Sequence, residues 1–371
     1  MFQVSTPSRL CLFGEHQDYL GLEVIASAID LRFTATVTER DDDIIHILIR
    51  DSSIDSLNAQ NHNNLYQEHT IDLKEPITYR NTRDYLNSSV NLLLKNGYEL
   101  RGADIKMDSE IPIGKGMCSS STMIIVLIKA LLERIGHPDK DDVNRIAYLG
   151  FAAEVLEFNE PGGMMDHYTS AIGGLVHLDF RSDVTAERID REVGGCFILF
   201  DSLQQKDTTK VLAASKIPTL AALEQLKPYG ISSVRDFYED ENKLALLEKL
   251  DDFKKRKLTA NINNYRILQE ALALLREPEV EQQALGRLIY QHQVNLRDGL
   301  GISTDTIDRI LDTAMNHGAL GGKVNGSGGG GCLYAYARTE DAPEILEAVT
   351  KMGYPAKILK QDSGVRREDE R

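Results

Sequence analysis

No stretch of the 371-residue chain approaches the ~20 consecutive apolar residues that a membrane-spanning helix needs. The opening residues, MFQVSTPSRLCLFGEH, lack the basic start and short apolar stretch of a secretory signal, so the sequence predicts a soluble cytoplasmic protein without membrane attachment. Cysteine is scarce. Cys11, Cys118, Cys196 and Cys332 stand far apart, without the paired spacing of a zinc site or the density of a disulfide scaffold, and read as buried, reduced thiols. Basic residues are outnumbered, 42 against 57 acidic ones, and the formal charge of −15 repels nucleic acid. Any anionic ligand must therefore be gripped by local geometry. No internal repeat or low-complexity segment interrupts the chain. What is present is a composition of 42% hydrophobic and 27% charged residues, which can bury a core and excludes disorder. The length exceeds what one compact core usually spans and predicts two joined domains.

Residues 24–38 and 44–50 are rich in β-branched side chains between polar turns and predict strands of a largely antiparallel sheet. The segment 51–66 is polar and turn-like. A helix is expected at 82–94, a short strand at 103–107, and a loop at 111–121. Behind that loop the run MIIVLIKALLERIG predicts a nearly buried helix stopped by Gly136 and Pro138. Another helix is expected at 141–157, a short one at 166–172, and buried strands at 175–180 and 196–201. From about 204 to 316 the pattern is helical, and charged stretches such as DDFKKRKL suit a solvated face. A strand, CLYAYA, a helix and a final strand, AKILK, then close an α+β unit before a charged tail, DSGVRREDER, expected to fray.

Four segments carry chemistry. In Ile111-Pro-Ile-Gly-Lys-Gly-Met-Cys-Ser-Ser-Ser-Thr122 a glycine-containing loop runs straight into a helix. Exposed amides, together with the partial positive charge of a helix start, make a phosphate cradle. The serines either cap the helix or hold phosphate oxygens or magnesium; a cap needs one of them, not three behind two glycines. Lys115 is followed by glycine, so the Walker pattern is absent. In Gly321-Gly-Lys-Val-Asn-Gly-Ser-Gly-Gly-Gly-Gly-Cys332 the glycines precede a strand, which excludes a dinucleotide fold, and the chain lacks the H-R-D and D-F-G set of protein kinases. Ordering four consecutive glycines requires a close backbone approach, to the first loop or to a ligand. In Pro7-Ser-Arg-Leu-Cys-Leu-Phe-Gly-Glu-His-Gln-Asp-Tyr19, Glu15, His16 and Asp18 follow an apolar strand, where carboxylates and imidazole can bond a polyhydroxylated ligand. In Pro161-Gly-Gly-Met-Met-Asp-His-Tyr168, Asp166 is a candidate helix cap, and Glu154 lies on the preceding helix.

Together and in this order these segments resemble the GHMP kinase superfamily, named for galactokinase, homoserine kinase, mevalonate kinase and phosphomevalonate kinase. Gly14-Glu-His-Gln-Asp-Tyr19 is most similar to the galactokinase signature. Gly163-Met-Met-Asp-His167, Asn295-Leu-Arg-Asp298 with Ser303 and Asp308, and the closing glycines are also galactokinase-like. The resemblance implies a two-domain α+β fold. Its N-terminal domain, 1–190, would be like domain 2 of ribosomal protein S5, and its C-terminal domain, 191–371, would be ferredoxin-like. It further implies Asp166 as catalytic carboxylate beside Arg9, with Glu15, His16, Asp18 and Gly163 on the sugar. Gly114, Lys115, Gly116, Cys118, Ser119, Ser120 and Ser121 would hold ATP, with Mg2+ on Ser120 and Glu154. The implied activity is ATP-dependent phosphorylation of a sugar at its anomeric hydroxyl, by a monomer or weak homodimer. Rival readings are a heptose-phosphate or uronic-acid kinase, with Lys206 and Lys210 as candidate extra cations, and a non-catalytic sugar-sensing regulator. The chain departs from galactokinases at Cys118, Ser121 and Gln17, and lacks their tyrosine-containing, arginine-rich stretch after Ser202.

Overall fold

A computed structural model of the chain describes residues 1–50, 66–160, 162–181, 184–205 and 208–368. Residues 51–65 of the expected polar segment, Pro161 and Lys206 lie outside the described residues. The first half builds strands β1 (Phe2–Phe13), β2 (Val24–Glu39), β3 (Ile44–Arg50), β4 (Tyr66–Asp72), β5 (Ala103–Ser109), β6 (Leu175–Asp179) and β7 (Thr185–Ile189). Among these are helices α1 (Tyr85–Lys95), α2 (Ser119–Ile135), α3 (Val143–Phe151) and α4 (Met165–Ile172). The sheet order is β4-β3-β5-β2-β1, with β6 also pairing β2 and β7 pairing β6; every pair is antiparallel except β3 with β5.

The second half contributes β8 (Cys196–Asp201), β9 (Gly321–Val324), β10 (Cys332–Ala337) and β11 (Ala356–Leu359), paired antiparallel in the order β11-β8-β10-β9. Its helices are α5 (Thr208–Leu226), α6 (Arg235–Glu239), α7 (Asp252–Arg276), α8 (Gln282–Val294), α9 (Asp305–Asn316) and α10 (Ala342–Lys351). Strand alternation explains how this sheet joins two cores. Phe197, Leu199, Tyr334 and Tyr336 pack with α7 and α8 into the large core that also holds α2 and the first sheet. The intervening Ile198, Phe200, Leu333 and Ala335 face α9 and α10 in a separate cluster. One apolar core therefore spans both halves.

α2 lies at the centre of the first half, with Ile124 through Leu132 almost wholly buried. That burial is what its apolar run predicts, and Gly136 ends it in the left-handed region. The helix expected at 141–157 is instead α3 followed by a π-turn, Ala152–Leu156. The tail corrects part of another expectation: instead of fraying throughout, β12 (Arg366–Arg367) pairs with β1, while residues 369–371 lie outside the described residues. Arg32 holds the segment before it through Asp362 at 2.6 Å and the Gly364 carbonyl at 2.8 Å. These bonds span more than three hundred positions, so the local charge pattern carries no sign of them. No disulfide joins the four buried cysteines. Among the described residues no helix is long and apolar enough to cross a membrane.

Candidate active site

The loop 111–118 and the first turn of α2 form one wall of the site. Cys118 is the N-cap of α2, with φ 48°, and its side chain makes no capping bond. It is one of four non-glycine residues with positive φ among the described residues, and a second, His16, belongs to the same site. Burial pushes the Cys118 thiol up to about 11, so it stands here as a neutral group beside the Ser8 hydroxyl. Ser120 and Ser121 also leave the helix end uncapped. Their hydroxyls donate to the two carboxylate oxygens of Glu154, at 2.6 and 2.7 Å.

Glu154 sits in the π-turn, a form of helix that places an extra residue per turn and often marks function. Its Oε2 is also 2.7 Å from His167 Nε2. Burial works to raise the Glu154 carboxyl, but the bond and charge of His167, then the two serines, outweigh it and hold the group below the usual carboxylate range. An ionised carboxylate beside a serine hydroxyl is a hard oxygen donor set. It fits Mg2+, which takes few protein ligands and completes its shell with water and phosphate. No cluster of three or more His, Cys, Asp or Glu that could hold a metal ion is found among the described residues.

Beside that loop, Arg9 on β1 grips Asp166 in the first turn of α4. Nε and Nη2 both contact Oδ1, at 2.8 and 2.7 Å. Oδ2 has no protein partner among the described residues, and the Asp166 side chain is 27% exposed against 4% for Arg9. Burial opposes the Arg9 charge, and Asp166, followed by smaller contributions from Cys118 and Glu15, more than restores it. Arg9 Nη1 donates to the Gly116 carbonyl at 3.0 Å, which ties the acid to the phosphate loop. Asp166 does not cap α4 with its side chain; Met164 holds the N-cap position.

The other acceptor-side candidates divide. Asp18 faces Gly163 so closely that a Cβ there would lie 2.1 Å from its Oδ2. Burial, with the charges of Asp166 and Glu15, lifts Asp18 to about 6, against a backbone bond from Tyr19 and the charge of Lys216. Glu15 and His16 are turned elsewhere. Glu15 is held by the Lys323 ammonium and the Gly326 N–H, and His16 lies between the Tyr19 hydroxyl at 3.1 Å and the Ser327 carbonyl at 3.0 Å. Both are buried, and each is bonded to the glycine-rich turn.

That turn packs on the phosphate loop. The Cys332 N–H donates to the Lys115 carbonyl at 2.9 Å, where a Cβ on Gly331 would come within 2.6 Å of the same oxygen. Lys115 pairs with Asp201 at 3.3 Å, while Gly114 and Ser119 lie at the loop's accessible edge. Asn325 bridges the Cys11 N–H and the Gly116 carbonyl, both at 3.0 Å. Ser303 and Asp308 bond each other at 2.6 Å beside Ile302, whose carbonyl accepts from the Gly329 N–H of that turn, and Arg297 pairs with Asp298. Sequence reading missed His167, Lys323 and Asn325. The first was signalled by its place next to Asp166; the others lay inside a glycine run that drew attention to its glycines.

The family models for the GHMP kinases N terminal domain and GHMP kinases C terminal match residues 84–174 and 264–355, and the galactokinase galactose-binding signature matches 2–39. A mevalonate kinase of Thermococcus onnurineus is 28% identical, with 98% of each chain covered. A galactokinase of Exiguobacterium sibiricum is also 28% identical, over 94% of this chain and 89% of its own. Among solved structures, Lactococcus lactis galactokinase complexed with galactose superposes with a TM-score of 0.77 at 18% identity, covering 99% of this chain and 95% of its own. Methanococcus jannaschii mevalonate kinase gives 0.72 at 21%, covering 97% and 98%. Both branches of relatives thus match along nearly the whole chain. With the uncapped helix start, the Arg9–Asp166 pair and the Ser120–Glu154 pair gathered at the phosphate loop and the helix behind it, these matches make the chain a member of the GHMP kinase superfamily, a two-domain α+β fold whose members are ATP-using phosphotransferases.

Proposed function

We propose that this protein is an ATP- and magnesium-dependent sugar kinase of the galactokinase-like type, acting on the anomeric hydroxyl of a monosaccharide to give a sugar 1-phosphate. The observation that carries the reading is Asp166, whose Oδ1 is fixed by two Arg9 nitrogens while Oδ2 has no protein partner among the described residues and the side chain reaches solvent. A carboxylate held in this way can orient an acceptor hydroxyl and take its proton as the hydroxyl oxygen bonds to the γ-phosphorus and the bond to the ADP oxygen breaks. Arg9 places a positive charge next to the reacting group. The open N–H groups at the start of α2 offer donors to phosphate oxygens. Ser120 and Glu154 would hold Mg2+, which when bound neutralises charge on the β- and γ-phosphates. Retention of this whole set argues against a silent sensor.

The galactose-binding signature at 2–39 supports a sugar acceptor. A second reading has its own support: mevalonate kinases match as well as galactokinases do, and Glu15 and His16 are spent on the protein. In that case the acceptor is an acidic alcohol such as mevalonate. Of the candidate cations for the heptose-phosphate and uronic-acid readings, Lys206 lies outside the described residues. The deciding experiment is a kinase assay with MgATP against free, acidic and phosphorylated monosaccharides and mevalonate, with the product position read by phosphorus NMR. Phosphate at C1 of a neutral sugar is the expected result, and exclusive use of mevalonate overturns the sugar reading.

A further inference from the structure

Lys323 on β9 has no solvent exposure, and the reaction outlined above gives it no task. An ammonium has three N–H donors, and all three are taken: by the carbonyls of Cys11 at 3.0 Å and Val324 at 2.9 Å, and by the Glu15 carboxylate. The other Glu15 oxygen accepts from the N–H of Gly326, the first residue of the glycine-rich turn. Asn325, just before it, donates to the Gly116 carbonyl in the phosphate loop at 3.0 Å. That same carbonyl accepts from Arg9, which holds Asp166. A line of hydrogen-bonded neighbours therefore leads from Lys323 on the second sheet to the carboxylate on α4.

We propose that Lys323, acting through Glu15, is a positioning residue that sets the 325–331 turn against the phosphate loop and so completes the nucleotide cradle. The inference deepens the kinase reading and rests on it. Stability alone is a weak reason for such a pair, because apolar residues of similar volume often stabilise a core as well or better. Geometry supplies the other reason: Glu15 accepts on both oxygens at once, which fixes it in one orientation. The groups facing it are Lys323 on β9, Arg9 and Cys11 on β1, His16 and Asp18 in the turn that follows, and Tyr334 on β10. Among the described residues Lys323 is the cation in ion-pairing contact with it. Without that ammonium one Glu15 oxygen loses its donor, and the carboxylate is no longer fixed against the Gly326 N–H.

The test measures binding of MgATP, by displacement of a fluorescent ATP analogue, with KM for ATP and for the acceptor, in Lys323→Met, Lys323→Arg, Glu15→Gln and the Glu15→Gln/Lys323→Met pair. Lys323→Met is expected to bind ATP roughly tenfold more weakly, with acceptor KM within about threefold of wild type. Glu15→Gln and the double variant are expected to be weak likewise, and Lys323→Arg to regain much of the affinity. A merely structural pair predicts lower thermal stability with wild-type ATP affinity, and that result overturns the proposal. If Lys323→Met does not fold, the double variant, which strands no charge, decides: wild-type ATP affinity there overturns the proposal equally. A wild-type protein that binds no ATP sinks the kinase reading itself.

Discussion

The Ser120 hydroxyl donates to Glu154 Oε1 at 2.6 Å, joining the first turn of α2 to the π-turn after α3. His167 and Ser121 fix the other oxygen, so Glu154 has one orientation and one charge state. Ser120→Ala is expected to raise the magnesium concentration needed for half-maximal activity by roughly tenfold, and Glu154→Gln to cost about a hundredfold or more in kcat/KM. A magnesium titration of each variant checks both; unchanged metal dependence in Ser120→Ala removes its ligand role.

Asp166→Asn keeps the size and the Arg9 contact but loses the charge that takes a proton. Turnover is expected to fall by about a thousandfold, with ATP affinity within about threefold of wild type. Single-turnover kinetics with equilibrium nucleotide binding separate the two effects, and undiminished turnover would remove the catalytic assignment.

Asp18 gives a pH dependence with a defined sign. With its carboxyl lifted to about 6, it is largely neutral below that pH and accepts hydroxyl protons best above it. Acceptor kcat/KM is expected to rise with pH through about 6, and Asp18→Asn to be weaker and without that step. Stability runs the other way. A carboxyl raised above its unfolded value near 4 favours folding below that pH, and the contribution is lost as pH climbs to about 6. Denaturant titrations of wild type and Asp18→Asn across this window should differ in slope.

Gly163→Ala probes the same corner by shape. Its methyl would fall 2.1 Å from Asp18 Oδ2, so the carboxylate has to move. Acceptor KM is expected to rise by about tenfold while ATP KM stays unchanged. Equal changes in both would mean that the two subsites are not separable at this point.

Much of this site could be read from residue order, because phosphate loops, glycine turns and strand-end carboxylates keep their chemistry within a few positions. β2 and α2 were legible for a similar local reason, the first in its β-branched residues and the second in its long apolar run. β9 was not. Gly321-Gly-Lys-Val324 has poor strand propensity and pairs only because β10 offers a template from Cys332 onward. The roles of Glu15 and His16 were hidden for a related reason: their partners lie some three hundred residues away, at Lys323, Gly326 and Ser327.

The bare N-cap of α2 ties occupancy to thermal resistance. Cys118 supplies no acceptor, and the next two hydroxyls point to Glu154, so the most buried helix of the first half begins with amides that no side chain at its start satisfies. An anion seated there would finish the helix as a cap does, and every micromole of it would hold the native state against unfolding. Melting temperature should therefore climb with inorganic phosphate or ATP even in Asp166→Asn, which makes a dead enzyme a usable sensor for what this cleft accepts.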